Sequence, residues 1–269
     1  MSMNSVNTNR QAIFALQSLN KTNSDLGSVQ KRVSTGLRVA DARDDGGAFA
    51  VASAVRSDIA GVTAVNEQLG GIKGVLQTTF AALTQVTDTM KQARQVLTRL
   101  ADGAISQDQR DQYNAQYQSL ATQIEDFITD ANYNGTTLLQ GTNIESIRNE
   151  AGDNFEIVAE TAADLQITNA TYATAADANA QLIGGFADVE TAVSAALNKF
   201  GASMQYVENQ ISYNSKKNDA LTDGLGALVD ADLAKESANL QSLQTRQQLG
   251  IQTLSLANQG PQVLLSLFR

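Results

Sequence analysis

A single proline, Pro261, stands in the 269 residues of this chain. Proline lacks a backbone donor and clashes with the preceding turn, so it kinks or breaks the interior of a helix. From residue 48 to residue 101 there is no proline, and large apolar residues recur every three or four positions: Val51, Val55, Ile59, Val62, Val65, Leu69, Ile72, Leu76 and Leu83. This spacing predicts one very long helix, or two in line, and therefore a rod.

Both ends of the chain carry narrow apolar seams with heptad spacing. Near the N-terminus the seam consists of Ala12, Leu19, Leu26 and Val33, with Ala15, Thr22 and Val29 between them. Near the C-terminus one row holds Leu233, Leu240 and Leu254, and the adjoining row holds Leu243, Gly250, Ala257 and Leu264. The surrounding Asn, Ser, Gln and Thr residues favour helices weakly, so each end is predicted to be marginally helical without a partner. Two thin seams at opposite ends predict a coiled coil between them.

The middle of the sequence holds further helices and one region of strand signals. Ser106 and Gln109 have the spacing of a capping box, which predicts a helix from there to about Ile128. FEIVA at 155–159 and LQIT at 165–168 predict a small β-hairpin. Helix resumes near residue 177, is expected to be interrupted at Gly224 and Gly226, and resumes near residue 230. The predicted fold class is mainly α: a long antiparallel helical hairpin or rod with coiled-coil terminal helices and a small β-hairpin region.

Two clusters invite a ligand-binding interpretation, and a structural role is favoured for each. Asp41, Asp44 and Asp45 precede two glycines, but a calcium loop also needs a distal bidentate Glu, so helix capping is preferred. Asp230 and Asp232 are likewise interpreted as caps. Gly224 and Gly226 follow no strand and precede no GK[ST], so a hinge is preferred to a phosphate loop.

Composition excludes several classes of function. The chain has no Cys and no His, which removes thiol nucleophiles, zinc-thiolate sites and histidine-based acid–base chemistry. We therefore predict a non-enzyme with no catalytic, cofactor-binding or metal-binding residues. The net charge of −9 argues against nucleic acid as a partner. No stretch reads as a membrane span, and the N-terminus has no cleavable signal peptide.

Two long segments resemble one known family. Residues 26–62, LGSVQKRVSTGLRVADARDDGGAFAVASAVRSDIAGV, resemble the N-terminal region of bacterial flagellins. Residues 230–269, DADLAKESANLQSLQTRQQLGIQTLSLANQGPQVLLSLFR, resemble their C-terminal region, and NYNGTTLLQG at 132–141 adds a weaker match. The resemblance implies a structural subunit that polymerises into the bacterial flagellar filament used for swimming motility.

The family also implies an organisation and a set of partners. Residues 1–40 and 230–269 would form a terminal coiled-coil domain lining the filament, and residues 41–229 a helical rod domain with a β-hairpin region near 142–176. The partners would be further copies of the chain, other flagellins, an export chaperone, and cap and junction proteins. The expected location is the extracellular filament, reached by flagellar type III export without a cleaved signal peptide, with no membrane insertion.

Self-assembly is assigned to large apolar residues of the terminal segments. These candidates are Ile13, Leu16, Leu19, Leu26, Val29, Val33, Leu233, Leu240, Leu243, Leu254, Leu264, Leu267 and Phe268. Those of the N-terminal segment are predicted to face those of the C-terminal segment, with neighbouring copies surrounding each pair.

Three other functions are weighed against the filament subunit. A hook-filament junction protein would share flagellin-like ends but would join two structures instead of polymerising. An enzyme housed in a central insertion is disfavoured, because about 35 residues cannot enclose a substrate pocket. A cytoplasmic coiled-coil adaptor would leave the resemblance at both ends unexplained. Growth of filaments with increasing concentration distinguishes the filament subunit from all three.

Overall fold

The computed structural model describes the backbone of residues 8–266 and the side chains of residues 8–259. In order along the sequence the elements are α1 (Arg10–Thr35), α2 (Gly46–Leu100), α3 (Gln107–Thr129), β1 (Ile144–Ile147), β2 (Asn154–Ile157), α4 (Ala162–Leu165), α5 (Ala175–Ile183), α6 (Gly185–Val229) and α7 (Leu233–Ser266). The mainly α fold with a small antiparallel sheet, predicted from the sequence, is confirmed. The long proline-free run forms one continuous helix, α2, of 55 residues.

The chain divides into two compact units. The terminal unit combines the segment up to Ser57 with the segment from Ala220 onwards, and the central unit is Asp58–Asp219. Residues 41–57 and 220–229 therefore belong with the terminal segments in the contacts of the single chain. The predicted boundaries at residues 40 and 230 concern layers of a filament and stay a prediction.

The core of the central unit is made by α2, α3 and α6. Leu97, Ile124 and Phe200 are fully buried there, as are Leu69, Leu76, Leu83, Tyr117 and Ile128. Spacings of three and four along each helix place these residues on one face, and the faces pack together in one continuous cluster.

Two sets of hydrogen bonds fix the connection between α2 and α3. At the start of α3, the Ser106 Oγ accepts from the Gln109 backbone N–H while the Gln109 side chain accepts from the Ser106 N–H, so the predicted capping box is confirmed. Arg110, which is 6% exposed, donates to the carbonyl oxygens of Leu100 at 2.7 Å and Asp102 at 3.2 Å. The buried guanidinium thus satisfies carbonyls that the end of α2 leaves without helical partners.

The β region differs from the prediction in its pairing. β2 overlaps the predicted FEIVA segment, but its antiparallel partner is β1, with Glu145 opposite Glu156. The prediction of a strand at LQIT is wrong, because Leu165 ends the short helix α4 and the following residues join no ladder. Leu165 and Ile167 are both buried. Leu165 and Ile167 pack separately against the core. Because they are two residues apart, their burial has the period of a strand although no strand forms.

The predicted interruption of helix at Gly224 and Gly226 is also wrong. α6 continues through both glycines to Val229, and the helical run is broken earlier, at Gly184. A Cβ at position 226 would lie 2.8 Å from the Asp230 Oδ2, so glycine there makes room for the carboxylate that follows the helix. Glycine costs a helix interior about 1 kcal/mol, which packing of the surrounding helix can offset.

Among the described residues, α2 is long and apolar enough to span a membrane by length and composition, and 17% of its most apolar 18-residue stretch is buried. The expectation that no stretch would pass this test is therefore wrong. Length and composition alone are weak grounds for a membrane helix, since helices of soluble proteins also pass. Val51, at 52% exposed, shows that apolar surface of α2 is open in the single chain.

Candidate assembly interface

The terminal unit is built on an antiparallel pair of helices, α1 and α7. Three polar contacts fix their register. The Asn9 Nδ2 donates to the Ala257 carbonyl at 2.7 Å, the Gln247 side chain donates to the Asn23 Oδ1 at 2.8 Å, and Arg32 donates to the Glu236 carboxylate at 3.1 Å. As numbers rise along α1 the partners fall along α7, so the helices run in opposite directions.

The seam between the helices has heptad spacing on both sides. Its α1 members, all partly or fully buried, are Ala12, Ala15, Leu19, Thr22, Leu26, Val29 and Val33. Its α7 members, all partly buried, are Glu236, Leu240, Leu243, Gln247, Gly250, Leu254 and Ala257. Apart from Leu233, the described members of the rows predicted from the sequence therefore turn inward, with two polar members, Glu236 and Gln247, that the apolar pattern did not mark.

Gly250 allows the helices to approach closely at one level of the seam. A Cβ at this position would lie 3.2 Å from the Leu19 Cδ1. Such a separation is tighter than ordinary van der Waals contact, so a side chain here would push Leu19 away. The absence of a side chain at Gly250 therefore lets α7 approach α1 closely beside Leu19.

A tight turn leads from the seam into α2. Gly36 ends α1 with φ of +71°, a conformation that residues with a Cβ rarely adopt. The Gly36 carbonyl accepts from the Ala231 N–H at 2.9 Å, and the Arg38 N–H donates to the Val229 carbonyl at 2.7 Å. These bonds join the two extended segments that enter and leave the α1–α7 pair.

The acidic residues after this turn have structural partners. Lys31 donates to Asp41 at 2.9 Å and to Asp44 at 2.8 Å. Arg43, and then Lys31, hold the pKa of Asp41 well below its usual range, and Lys31 is the main cause of the lowered pKa of Asp44. Asp45 caps α2 by accepting from two backbone N–H groups, as predicted, whereas Asp44 ties the loop to α1. Within the described part of the protein, no cluster of His, Cys, Asp or Glu could hold a metal ion.

Large apolar side chains also lie outside the seam. Ile13 and Leu16 are 57% and 47% exposed, and Leu233, in the first turn of α7, is 50% exposed. The prediction that Ile13 and Leu16 face the opposite terminal helix is therefore wrong, because on a helix, positions one residue from a seam point about 100° away from it. Leu233 lies on a seam row, seven residues before Leu240, but it stays half exposed at the first position of α7.

Two shallow grooves run beside the seam. One, of about 500 Å³, is lined by Phe14 and Leu256 with seam residues between them. The next, of about 470 Å³, is lined by Leu249 and by the charged residues Lys21, Asp25 and Arg246. Phe14, Leu249 and Leu256 were missed by the sequence reasoning because they stand off the heptad rows. Each of them could have been found as a large apolar residue among the polar residues outside the heptad rows.

Two family models match the sequence of this chain. A model of the bacterial flagellin N-terminal helical region matches residues 6–144, and a model of the C-terminal helical region matches residues 185–268. The chain belongs to the bacterial flagellins.

Relatives of this flagellin match it from end to end. Flagellin FljK of Caulobacter vibrioides is 38% identical, and the alignment covers 100% of both chains. A flagellin of Brucella melitensis is 34% identical over 99% of this chain and 100% of its own. Among solved structures, a putative flagellar hook-associated protein from Vibrio parahaemolyticus matches with a TM-score of 0.60 at 15% identity, covering 70% of this chain and 100% of that one. At that identity the structural likeness concerns the fold alone.

The flagellin is a structural subunit of the bacterial flagellar filament, which lies outside the cell and is built by self-polymerisation. Nothing in the comparisons favours the junction protein, since the full-length relatives are flagellins. Of the candidate assembly residues, Leu19, Leu26, Val29, Val33, Leu240, Leu243 and Leu254 meet in the seam. The side chain of Leu264, and Leu267 and Phe268 altogether, lie outside the described residues.

Proposed function

We propose that this flagellin polymerises through the α1–α7 pair, with the seam holding each pair together and the exposed apolar residues on its flanks packing against neighbouring copies. The observation that carries the proposal is the exposure of Ile13, Leu16, Phe14, Ile251 and Leu256 on two helices whose own seam is thin. A single chain gains nothing from holding these side chains in water.

The energetics favour many contacts per subunit. Association costs roughly 4 to 15 kcal/mol in lost translational and rotational freedom. Burial of apolar surface returns about 25 cal/mol per Å², so covering half of one large side chain returns only about 1 kcal/mol. A subunit therefore needs neighbours on both flanks, which is the geometry of a closed tube and not of an isolated dimer.

The same proposal assigns different segments of the chain to different layers of the filament. Residues 1–40 and 230–269 form the inner tube of the filament, and residues 41–229 form the rod outside it, with the β region near 142–176. The resemblance of both terminal segments to the family supports this division. Leu264, Leu267 and Phe268 stay in the proposed set on the grounds of the sequence pattern alone.

The remaining partners are proposed on family grounds. Besides copies of itself, the chain would contact other flagellins, an export chaperone, and the cap and junction proteins, and it would leave the cell without a cleaved signal peptide. It would act without enzymatic activity or cofactor, and without nucleic acid or membrane insertion. The net charge of −9 supports the exclusion of nucleic acid, and the absence of Cys and His supports the exclusion of thiol and histidine chemistry.

Polymerisation of matched α1 variants tests the proposal. The double variant Ile13→Ser and Leu16→Ser changes two exposed side chains and leaves the seam intact, while Gln17→Ser changes an exposed polar residue beside them. Purified monomers would be mixed with short filament seeds, and growth followed by electron microscopy and sedimentation. We expect the double variant to raise the critical concentration at least about tenfold and Gln17→Ser to leave it unchanged.

Two results would oppose the proposal. Equal growth of the double variant and the wild type would show that this flank makes no filament contact. Wild-type monomers that attach to seed ends without elongating would instead indicate a junction protein.

A further inference from the structure

The sequence contains one Asn-Gly dipeptide, Asn134-Gly135, and the structure places it in a two-residue turn. Tyr133 and Thr136 exchange both backbone hydrogen bonds across the turn, at 2.9 and 3.0 Å. Asn134 has φ of +51° and Gly135 has φ of +81°, which are the signs that a type I′ turn requires. Both residues are exposed to solvent.

Asn-Gly is chemically the weakest asparagine linkage, because glycine puts no side chain in the way of its own nitrogen. The Gly135 nitrogen can attack the Asn134 Cγ, forming a new bond to carbon in a five-membered succinimide while the bond between Cγ and Nδ2 breaks. The proton from the Gly135 N–H leaves with the departing amide as ammonia. Water then opens the ring at either carbonyl, giving aspartate or isoaspartate.

The structure engages the attacking nitrogen elsewhere. The Gly135 N–H donates to the Oδ1 of Asn132 at 2.7 Å, a short bond for an amide donor. Attack requires loss of this proton and rotation of the nitrogen toward Asn134. The hydrogen bond stabilises the protonated nitrogen and directs it at a different side chain, so both requirements become harder to meet.

We propose that Asn134 is a deamidation site and that Asn132 is a positioning residue that slows its modification. Asn132 acts by accepting the hydrogen bond of the nitrogen that would otherwise close the succinimide. Its neighbour along the sequence is Tyr133, whose bulk disfavours the same reaction at Asn132 itself.

Modification of this turn would have a structural consequence. The Tyr133 ring lies against Gly74 of α2 so closely that a Cβ there would be 2.7 Å from the Tyr133 Cζ. Isoaspartate adds a methylene to the backbone of the turn and a negative charge to its surface, and either change displaces the ring from the helix. A subunit in an extracellular filament is out of reach of the cytoplasm, so slow modification prolongs its useful life.

Aging of the full-length protein tests the proposal. Wild type, Asn132→Ala and Asn132→Asp would be incubated at mildly alkaline pH, with and without urea. The peptide containing position 134 would be sequenced by mass spectrometry, which detects the replacement of NH₂ by OH. Asn132→Asp keeps a side-chain oxygen that can accept the Gly135 hydrogen bond. We expect Asn132→Ala to deamidate about fivefold faster than wild type in native buffer, the factor of one net hydrogen bond. Asn132→Asp should match the wild type, and urea should abolish the difference.

An internal clock separates local protection from general stability. Asp102-Gly103 isomerises by the same ring chemistry without a mass change, and it lies in a different loop. Its rate should be the same in all three proteins. The proposal is overturned if Asn132→Ala ages at the wild-type rate, if Asn132→Asp is as fast as Asn132→Ala, or if Asp102 accelerates together with Asn134.

Discussion

The helices of the central unit and the α1–α7 pair of the terminal unit are built from similar apolar residues but bury them to different extents. In the central unit, α2, α3 and α6 enclose Leu97, Ile124 and Phe200 completely. In α1, Val29 is the one buried residue. Three helices can surround a side chain, whereas two leave most seam residues partly open to solvent. The central unit therefore completes its core within one subunit, and in the proposed assembly other subunits cover what the α1–α7 pair leaves open.

Polar contacts follow the same division. In the central unit, the buried side chain of Asn114 accepts from the Tyr172 N–H and donates to the Tyr172 carbonyl, replacing a missing strand partner. In the terminal pair, Asn23 with Gln247 and Arg32 with Glu236 mark the register of two helices. Polar groups in a thin seam favour one alignment, because a slip leaves them without partners.

The largest expected effect tests whether the central core is complete. Phe200→Ala should lower the free energy of unfolding of the monomer by about 3 to 5 kcal/mol, because it empties a fully buried site between helices. Urea unfolding of the soluble monomer, followed by circular dichroism, measures this change. A loss below about 1 kcal/mol would mean that the core depends on other subunits as well.

Arg110 sharpens the comparison at the polar edge of the same core. Arg110→Met removes both donors from the carbonyls of Leu100 and Asp102 and should cost about 1 to 3 kcal/mol of unfolding free energy. Arg110→Lys, which can reach one carbonyl, should fall between Met and wild type. The same urea titration applies, and equal midpoints for Met and wild type would contradict the assigned role.

A seam residue should show the opposite distribution of effects. Leu243→Ala should change the unfolding of the central unit by less than about 0.5 kcal/mol. In polymerisation it should raise the critical concentration about fivefold to tenfold, since part of a leucine side chain is lost from each assembled pair. Leu243→Met keeps the volume and serves as the control. A large loss of monomer stability would show that the seam supports the single chain.

The smallest expected effect depends on pH. The salt bridge with Lys217 lowers the pKa of Glu150 below its ordinary value of 4.5, and Asp153 opposes the shift. A carboxyl group with a lowered folded-state pKa stabilises the protein above its unfolded pKa and loses this contribution as the pH falls through the folded value. Glu150→Gln should therefore unfold at slightly lower urea than wild type near pH 7, and the difference should shrink below about pH 4.5. The Glu150 side chain also lies beside Gly61, where an added Cβ would be 3.0 Å from the Glu150 Cβ. A difference that persists unchanged at pH 3 would assign the effect to this packing.

Local chemistry made several elements predictable from the sequence. The heptad rows, the long α2 and the Ser106–Gln109 capping box depend on residues within a few turns of each other, and all three are present. The family could also be predicted from the terminal segments, because their resemblance to flagellins is long and specific. The apolar composition of α2 was visible as well, although its exposure in the single chain was not.

Tertiary structure alone decided which residues meet across long distances. β2 pairs with β1 and not with the segment at 165–168, and α6 passes through Gly224 and Gly226 because its surroundings tolerate them. Ile13 and Leu16 turn outward, since two helices can share only one narrow stripe each, and Leu233 stays exposed at the first position of α7. Sequence by itself determined the long helices of the chain and most of their apolar faces, because periodicity is local, although it placed a break in α6 that does not exist. The choice of partner for each face was decided only by packing, because it depends on which other surfaces the fold brings within reach.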